Sequence, residues 1–256
     1  MVMVLGHRGA RGLWPENTIA GFQKAIALGV DMIEFDVHLS SDGVPVVMHD
    51  YTLDRTTEGS GPVAFQSAAD LSRIAIKDCE ETVATFSRVL AAVAGSDVQL
   101  AIEIKTGPDA APYPSIERKV LEMLGDRGLL ERALILSFVP DCLERARTIH
   151  ANVGVMGLIW RPQCELMGGL ANALDRVLSI PGSIAAVQEE LLTHNESFCF
   201  ERVPAGRLAV GVNNDPARMA HWLGSTVRHI STDRPDLALE LRRSIAASQG
   251  ARLRSH

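Results

Sequence analysis

The chain of 256 residues lacks the compositional features that would place it outside the ordinary globular proteins. Aromatic residues make up only 5%, while 46% hydrophobic and 22% charged residues match a packed domain and exclude disordered, collagen-like and coiled-coil classes. Basic residues are not in excess, because 25 Lys and Arg face 31 Asp and Glu, for a formal charge of −6. Broad affinity for nucleic acid or anionic membranes is therefore not expected, and phosphate chemistry would need a local site.

Cysteine and membrane signals are also scarce. The four cysteines form no C-x-x-C pair, so we predict buried, reduced thiols rather than a zinc cage or a disulfide framework. The apolar run at the N-terminus ends at Gly6 without a preceding basic residue, which makes it too short for a signal peptide or a spanning helix. We expect a cytoplasmic protein without stable membrane insertion, and the sequence does not predict an oligomeric state.

Hydrophobic periodicity predicts eight strands, each followed by a helix. The predicted strands are Val2–Leu5, Met32–Leu39, Val98–Ile104, Ala133–Leu136, Val153–Ile159, Ile184–Val187, Leu208–Val212 and His229–Ser231. The predicted helices are Asn17–Leu28, Phe86–Ala94, Ile116–Leu124, Cys142–Ile149, Asn172–Leu178, Glu196–Arg202, Pro216–Leu223 and Pro235–Ile245. Strict alternation predicts parallel strands with helical crossovers, and at this length the TIM (β/α)8 barrel, as one domain over residues 1–256, fits best.

A doubly wound open sheet is the alternative architecture. Its dinucleotide-binding form carries G-x-G-x-x-G after the first strand, because the glycines let the backbone approach a pyrophosphate. The segment Gly6–Arg11 has a different glycine spacing, which disfavours this alternative.

Carboxylates lie on two predicted strands that neighbour each other. Glu34 and Asp36 are two positions apart and so share one face of the second strand, and Glu103 with Lys105 repeats the arrangement on the third. Three carboxylates at one barrel mouth would repel strongly without a cation, and an all-oxygen set suits Mg²⁺ or Ca²⁺. An ion-pair lattice, in which Arg8 and Lys105 neutralise the carboxylates, is the other interpretation.

Histidines follow the same strands. His7 ends the first strand and His49 closes a further extended piece, and two imidazoles beside such a cluster fit general acid and general base catalysis. His38 shares the face of the carboxylates nearer the rim, where we predict a supporting role or none. Asp233, after the last strand, is interpreted as a helix N-cap.

Seven short segments resemble the glycerophosphodiester phosphodiesterase family. In chain order they are His7–Ala10 (HRGA), Pro15–Thr18 (PENT), Glu34–Val37 (EFDV), Asp42–Val46 (DGVPV), His49–Thr57 (HDYTLDRTT), Glu103–Lys105 (EIK) and Thr232–Pro235 (TDRP). Together they span nearly the whole chain in the expected order. The resemblance implies a TIM barrel with a small insertion after the second strand, over residues 50–81.

The resemblance also implies the parts of a site. One divalent cation, Mg²⁺ or Ca²⁺ with Mn²⁺ as a further choice, would be held by Glu34, Asp36 and Glu103. Phosphate contacts would come from Arg8 and Lys105, and the acid–base pair would be His7 and His49. The implied activity is metal-dependent hydrolysis of small glycerophosphodiesters to glycerol 3-phosphate and an alcohol, through a cyclic phosphate. A phospholipase-D-like lyase that releases the cyclic phosphate and a non-catalytic phosphate-binding barrel are the alternatives.

One departure from the family pattern concerns the seventh strand. Many members carry an aromatic residue where this chain has Val210, so we expect a wall of the substrate pocket to be missing there. Trp14, Phe138 and Trp160 are the aromatic residues best placed to replace it.

Overall fold

The computed structural model describes residues 1–107 and 110–254. The strands are β1 (Met3–Gly6), β2 (Met32–Leu39), β3 (Pro45–Val47), β4 (Ala84–Thr85), β5 (Gln99–Ile104), β6 (Ala133–Ser137), β7 (Gly154–Ile159), β8 (Ile184–Val187), β9 (Leu208–Val212) and β10 (His229–Thr232). Eight of them are parallel and follow the order β1, β10, β9, β8, β7, β6, β5, β2, and β2 pairs with β1 to close the ring. The TIM barrel is therefore confirmed, and the open sheet was the wrong alternative.

Helices connect the barrel strands on the outside. They are α1 (Ile19–Leu28), α2 (Ala68–Leu71), α3 (Phe86–Val93), α4 (Ile116–Gly125), α5 (Pro140–Ile149), α6 (Arg161–Leu166), α7 (Leu170–Leu178), α8 (Glu189–His194), α9 (Glu196–Arg202), α10 (Pro216–Leu223) and α11 (Pro235–Arg254). Among the described residues, no helix has the length and apolar character needed to cross a membrane.

The alternation of side chains along β2 shows how the barrel sorts its residues. Phe35 points outward and packs between Phe22 of α1 and Phe86 of α3, with ring centroids 5.3 and 6.0 Å apart. Glu34 and Asp36 point inward, because successive strand residues face opposite sides. Burying a phenylalanine stabilises the fold by about 1.5–3 kcal/mol, so the outward face fixes the register that turns both carboxylates into the barrel.

A small second core lies beside the barrel, between β2 and α3. β3 runs antiparallel to β2, and β4 runs antiparallel to β3. The intervening chain folds over seven buried apolar residues, which are Val46, Met48, Leu53, Val63, Ala68, Leu71 and Val83. β3 starts opposite Leu39, at the end of β2, and runs back along β2 until Val47 pairs with Val37. The residues that follow β3 therefore place His49 at the barrel mouth.

Candidate active site

The predicted site residues converge at the carboxyl ends of β1, β2, β3 and β5. A cavity of about 250 Å³ opens there, and five of the seven line it: His7, Arg8, Glu34, His49 and Glu103. The other two, Asp36 and Lys105, lie against them, since Lys105 Nζ is 2.7 Å from Glu103 Oε1 and 3.2 Å from Asp36 Oδ1.

The three carboxylates form a compact oxygen cluster. Glu34, Asp36 and Glu103 are buried and each offers an oxygen within 4.8 Å of the others. Burial raises the pKa of Glu34 well above its ordinary value, and the charges of Asp36 and Glu103 raise it further. Glu34 Oε1 accepts no hydrogen bond from the described residues, whereas Asp36 Oδ1 has the Lys105 ammonium as an ion-pair partner at 3.2 Å. Buried oxygens without donors are costly, so this cluster fits a divalent cation with oxygen ligands.

The ion pairs of the lattice interpretation are present as well. Burial would raise the pKa of Asp36, but the charges of Lys105, His49 and Arg8 lower it below its ordinary value. Two cations against three carboxylates still leave one negative charge in excess. The ion-pair lattice thus accounts for Lys105, Arg8 and Asp36 Oδ1, but it leaves Glu34 Oε1 without a partner among the described residues.

A tight turn after β1 aims the main chain of Arg8 at the cluster. Arg8 adopts φ 49° and ψ 37°, and its backbone N–H donates to Glu34 Oε2 at 2.8 Å. Gly9 follows with φ +72°, where an added Cβ would lie 2.8 Å from the ring of Phe22. The glycine is therefore required by both backbone conformation and space.

Asp233 holds His7, and its interpretation as a helix N-cap was wrong. Asp233 Oδ1 is 2.6 Å from His7 Nδ1 and also accepts from Arg11 Nε at 2.8 Å, while its Oδ2 accepts from Asn214 at 2.7 Å. Burial lowers the pKa of His7, and the hydrogen bond to Asp233 opposes this. Because an ionised carboxylate only accepts, the proton of a neutral His7 lies on Nδ1 and Nε2 keeps its lone pair.

His49 has an equivalent partner. Its Nδ1 lies 2.6 Å from Asp50 Oδ1, and Arg55 in turn donates to Asp50 Oδ2 at 2.6 Å and to Glu16. Burial lowers the pKa of His49 to about 4. Burial would raise the pKa of Asp50, but hydrogen bonds from Arg55 and His49 lower it to about 2. Both histidines are therefore oriented by carboxylates through Nδ1.

Asn17 is another site residue that the sequence did not reveal. The predicted helix begins at Asn17, but α1 begins at Ile19 and Thr18 is its N-cap, whose side chain accepts from Gly21 N at 3.0 Å. The Asn17 amide instead donates to Asp36 Oδ2 at 2.9 Å. Asn17 has a left-handed backbone conformation, with φ 58°, which asparagine tolerates better than most residues. That tolerance was the only indication of this conformation in the sequence.

The wall opposite the charged residues is apolar, and the expectation for Val210 was wrong. Val210 is fully buried in the layer between barrel and helices, so the inward residue of β9 is Gly211. An added Cβ at Gly211 would lie 3.1 Å from Trp160 Cη2. Trp160 and Phe138 stack edge to face at 5.1 Å and line the cavity. They supply the aromatic wall as predicted, whereas Trp14 lines a neighbouring groove.

A (β/α)8 barrel whose mouth carries two carboxylate-oriented histidines and a buried acidic cluster has the side chains expected of a barrel hydrolase for charged esters. The model of the Glycerophosphoryl diester phosphodiesterase family matches residues 7–237. The chain belongs to that family and is a phosphoric diester hydrolase that acts on glycerophosphodiesters.

Individual relatives agree with this assignment. The chain is 36% identical over 171 residues to a glycerophosphodiester phosphodiesterase of Caldanaerobacter subterraneus subsp. tengcongensis, covering 64% of this chain and 68% of that protein. The crystal structure of a glycerophosphodiester phosphodiesterase from Agrobacterium tumefaciens superposes with a TM-score of 0.75 at 25% identity, over 95% of this chain and all of that one. A phosphodiesterase from Oleispira antarctica, solved with the product sn-glycerol-3-phosphate, shares the fold with a TM-score of 0.75 at 20% identity, covering 93% and 96% of the two chains.

Proposed function

We propose that this chain hydrolyses small glycerophosphodiesters to glycerol 3-phosphate and an alcohol, with His7 and His49 as the acid–base pair. The observation that carries the proposal is the pairing, at one cavity, of two carboxylate-oriented imidazoles with a buried cluster of three carboxylates, in which Glu34 Oε1 has no donor among the described residues. Glycerophosphocholine and glycerophosphoethanolamine are the substrates we expect.

Glu34, Asp36 and Glu103 would hold one divalent cation, and their all-oxygen set favours Mg²⁺ or Ca²⁺, with Mn²⁺ also suitable. When bound, such a cation neutralises charge on the phosphoryl oxygens. Arg8 lines the cavity and is proposed to contact the same oxygens. Lys105 stays a predicted phosphate contact, while in this arrangement its ammonium neutralises Asp36 and Glu103.

The chemistry proposed for the histidines uses their Nε2 atoms, because Nδ1 of each ring is engaged by a carboxylate. One imidazole removes the proton of the glycerol hydroxyl next to the ester, and that oxygen bonds to phosphorus. The bond from phosphorus to the alcohol breaks, and the second imidazole, which enters the step as imidazolium with a proton on each nitrogen, donates its Nε2 proton to the departing oxygen. Water then opens the cyclic phosphate with the imidazoles in exchanged roles, which restores both. The assignment of each histidine to one step stays open.

Alanine variants of the two histidines test the proposal. We expect His7→Ala and His49→Ala to lose at least about 100-fold in rate, since acid–base catalysis contributes about 10²–10⁴-fold. His194→Ala is the matched control, because His194 is exposed on α8 and bonds only to its own helix, at Glu190 O. Full activity in either active-site variant would remove the acid–base roles.

Phosphorus NMR of the products separates the alternatives. Glycerol 3-phosphate supports hydrolysis, whereas cyclic phosphate as the end product indicates a lyase. Substrate binding without turnover indicates a non-catalytic barrel. We also propose that residues 1–256 form one domain, with residues 50–81 as an insertion within it. We propose a cytoplasmic location for the protein, which fractionation of cells would test.

A further inference from the structure

A third histidine, His38, lies on the same inward face of β2 as Glu34 and Asp36 but does not line the cavity. Its ring is buried, with 1% of the residue exposed, and both nitrogens are engaged. Nε2 lies 3.0 Å from the main-chain carbonyl oxygen of His49, and Nδ1 lies 2.9 Å from Tyr113 Oη. The ring of Tyr113 stands edge-on to the imidazole, with centroids 5.7 Å apart.

The chemistry of these partners fixes the direction of both hydrogen bonds in the neutral ring. A carbonyl oxygen can only accept, so Nε2 of His38 must carry the proton and donate. Nδ1 then has a lone pair, and the hydroxyl of Tyr113 donates to it. The result is a directed chain from the Tyr113 hydroxyl through His38 to the backbone of His49.

The hydrogen bond from His38 is one of three that hold His49 and the residue before it. The preceding residue, Met48, donates its N–H to Asp36 O at 3.1 Å, which anchors the chain to β2 just before His49. The side-chain Nδ1 of His49 is held by Asp50 at 2.6 Å. With its carbonyl oxygen bonded to His38, His49 has its backbone held on both sides, its Nδ1 held by Asp50 and its side chain in the wall of the cavity.

We propose that His38 is a positioning residue for His49, and that the Tyr113 hydroxyl holds His38 in the tautomer that this role requires. The inference rests on the proposed function, in which His49 transfers protons. His38 touches only the main chain of His49, so it acts through placement and not as a proton carrier. A displacement of about 1 Å at a reacting group can cost about 100-fold in rate, so one hydrogen bond to the carbonyl is enough to matter.

Two substitutions at position 38 distinguish placement from packing. His38→Leu keeps apolar volume and removes the donor, and we expect kcat to fall about 10- to 100-fold with KM changed less than about twofold. His38→Gln keeps an N–H donor near the position of Nε2 and should recover most of the lost kcat. Equal kcat in the wild type and His38→Leu would overturn the proposal, as would equally low kcat in the Leu and Gln variants.

Tyrosine variants test the outer end of the chain. Tyr113→Phe should lower kcat about 2- to 10-fold, the equivalent of one neutral hydrogen bond. Tyr51→Phe is the matched control, since Tyr51 is the other of the two tyrosines and 51% of it is exposed. His229→Leu controls for the loss of a buried histidine, because His229 opens β10 at the end of the barrel opposite the site. Both controls should keep the wild-type kcat, and an equal loss in Tyr51→Phe and Tyr113→Phe would overturn the role of the hydroxyl.

A spectroscopic measurement on the full chain is independent of activity. Long-range ¹H–¹⁵N correlation of the histidine side chains should show His38 with its proton on Nε2, and this pattern should weaken in Tyr113→Phe. A proton on Nδ1 in the wild type would overturn the proposal. If the wild type hydrolyses no glycerophosphodiester, the proposed function fails, and the His38 tautomer is still read from the same spectrum.

Discussion

The contact between Asp233 and His7 can be tested by a single isosteric change, Asp233→Asn. The carboxylate accepts from three donors, and the distance to His7 Nδ1 is 2.6 Å. Burial would raise the pKa of Asp233, but hydrogen bonds from His7 and Arg11 lower it below its ordinary value, so the group is charged at neutral pH. An amide has one acceptor oxygen and an NH₂ group that repels the donors, so it cannot replace all three interactions.

The expected size of the effect follows from the loss of a charge-assisted hydrogen bond. Such a bond contributes about 1.5–3 kcal/mol, and about 1.4 kcal/mol corresponds to tenfold in rate. Asp233→Asn should therefore lower kcat for glycerophosphocholine about 10- to 150-fold. The control is Asp236→Asn. Asp236 lies three residues beyond Asp233, and its partly exposed carboxylate pairs with Arg234. A kcat within twofold of wild type for a folded Asp233→Asn protein would show that the Asp233 carboxylate does not support catalysis by His7.

Four further predictions follow. Burial lowers the pKa of His229 to about 3, so between about pH 6.5 and 3 the unfolded chain binds a proton that the folded chain does not. The free energy of unfolding should therefore fall with falling pH by up to about 1.4 kcal/mol per pH unit. Urea titrations of His229→Leu should show a flatter pH dependence, and an unchanged pH dependence would contradict this role of His229. Glu34→Gln should weaken Mg²⁺ or Ca²⁺ binding at least about tenfold by calorimetry, whereas unaltered affinity would remove Glu34 from the ligand set. Trp160→Ala should raise KM with little loss of kcat, because it opens the apolar wall, and an unchanged KM would show that substrate does not touch that wall. Gly9→Ala should lower the free energy of unfolding by about 1–3 kcal/mol, from its left-handed backbone and the contact with Phe22, and a change under 0.5 kcal/mol would contradict this.

Local patterns predicted the barrel well because each βα unit carries its own periodicity. β2 and β8 begin and end at the predicted residues, Met32–Leu39 for an alternating segment and Ile184–Val187 for an apolar run. α8 was not predicted, because Glu189–His194 is a single short polar helix with no capping side chain. α11 continues beyond the predicted Ile245 to Arg254, since nothing in its sequence stops a helix there.

The candidate site divides in the same way. Strand-end residues such as Glu34 and Glu103 could be predicted, because alternation and the common barrel mouth place them together. Asp233 could not, since its contact with His7 joins residues 226 positions apart in the chain. The alternation of side chains along β9 does predict the orientation of Val210. Ala209 faces into the barrel and Val210 faces out, so position 211 is the next one that faces in and lines the cavity.

We propose that hydrolysis at the mouth of this barrel depends on a divalent cation. The most direct measurement is the initial rate of glycerol 3-phosphate formation from glycerophosphocholine by protein stripped with a chelator and then titrated with Mg²⁺, Ca²⁺ or Mn²⁺. We expect a rate near zero after stripping, recovery with at least one of these cations, and little recovery in Glu103→Gln. Undiminished hydrolysis in excess chelator would contradict this proposal.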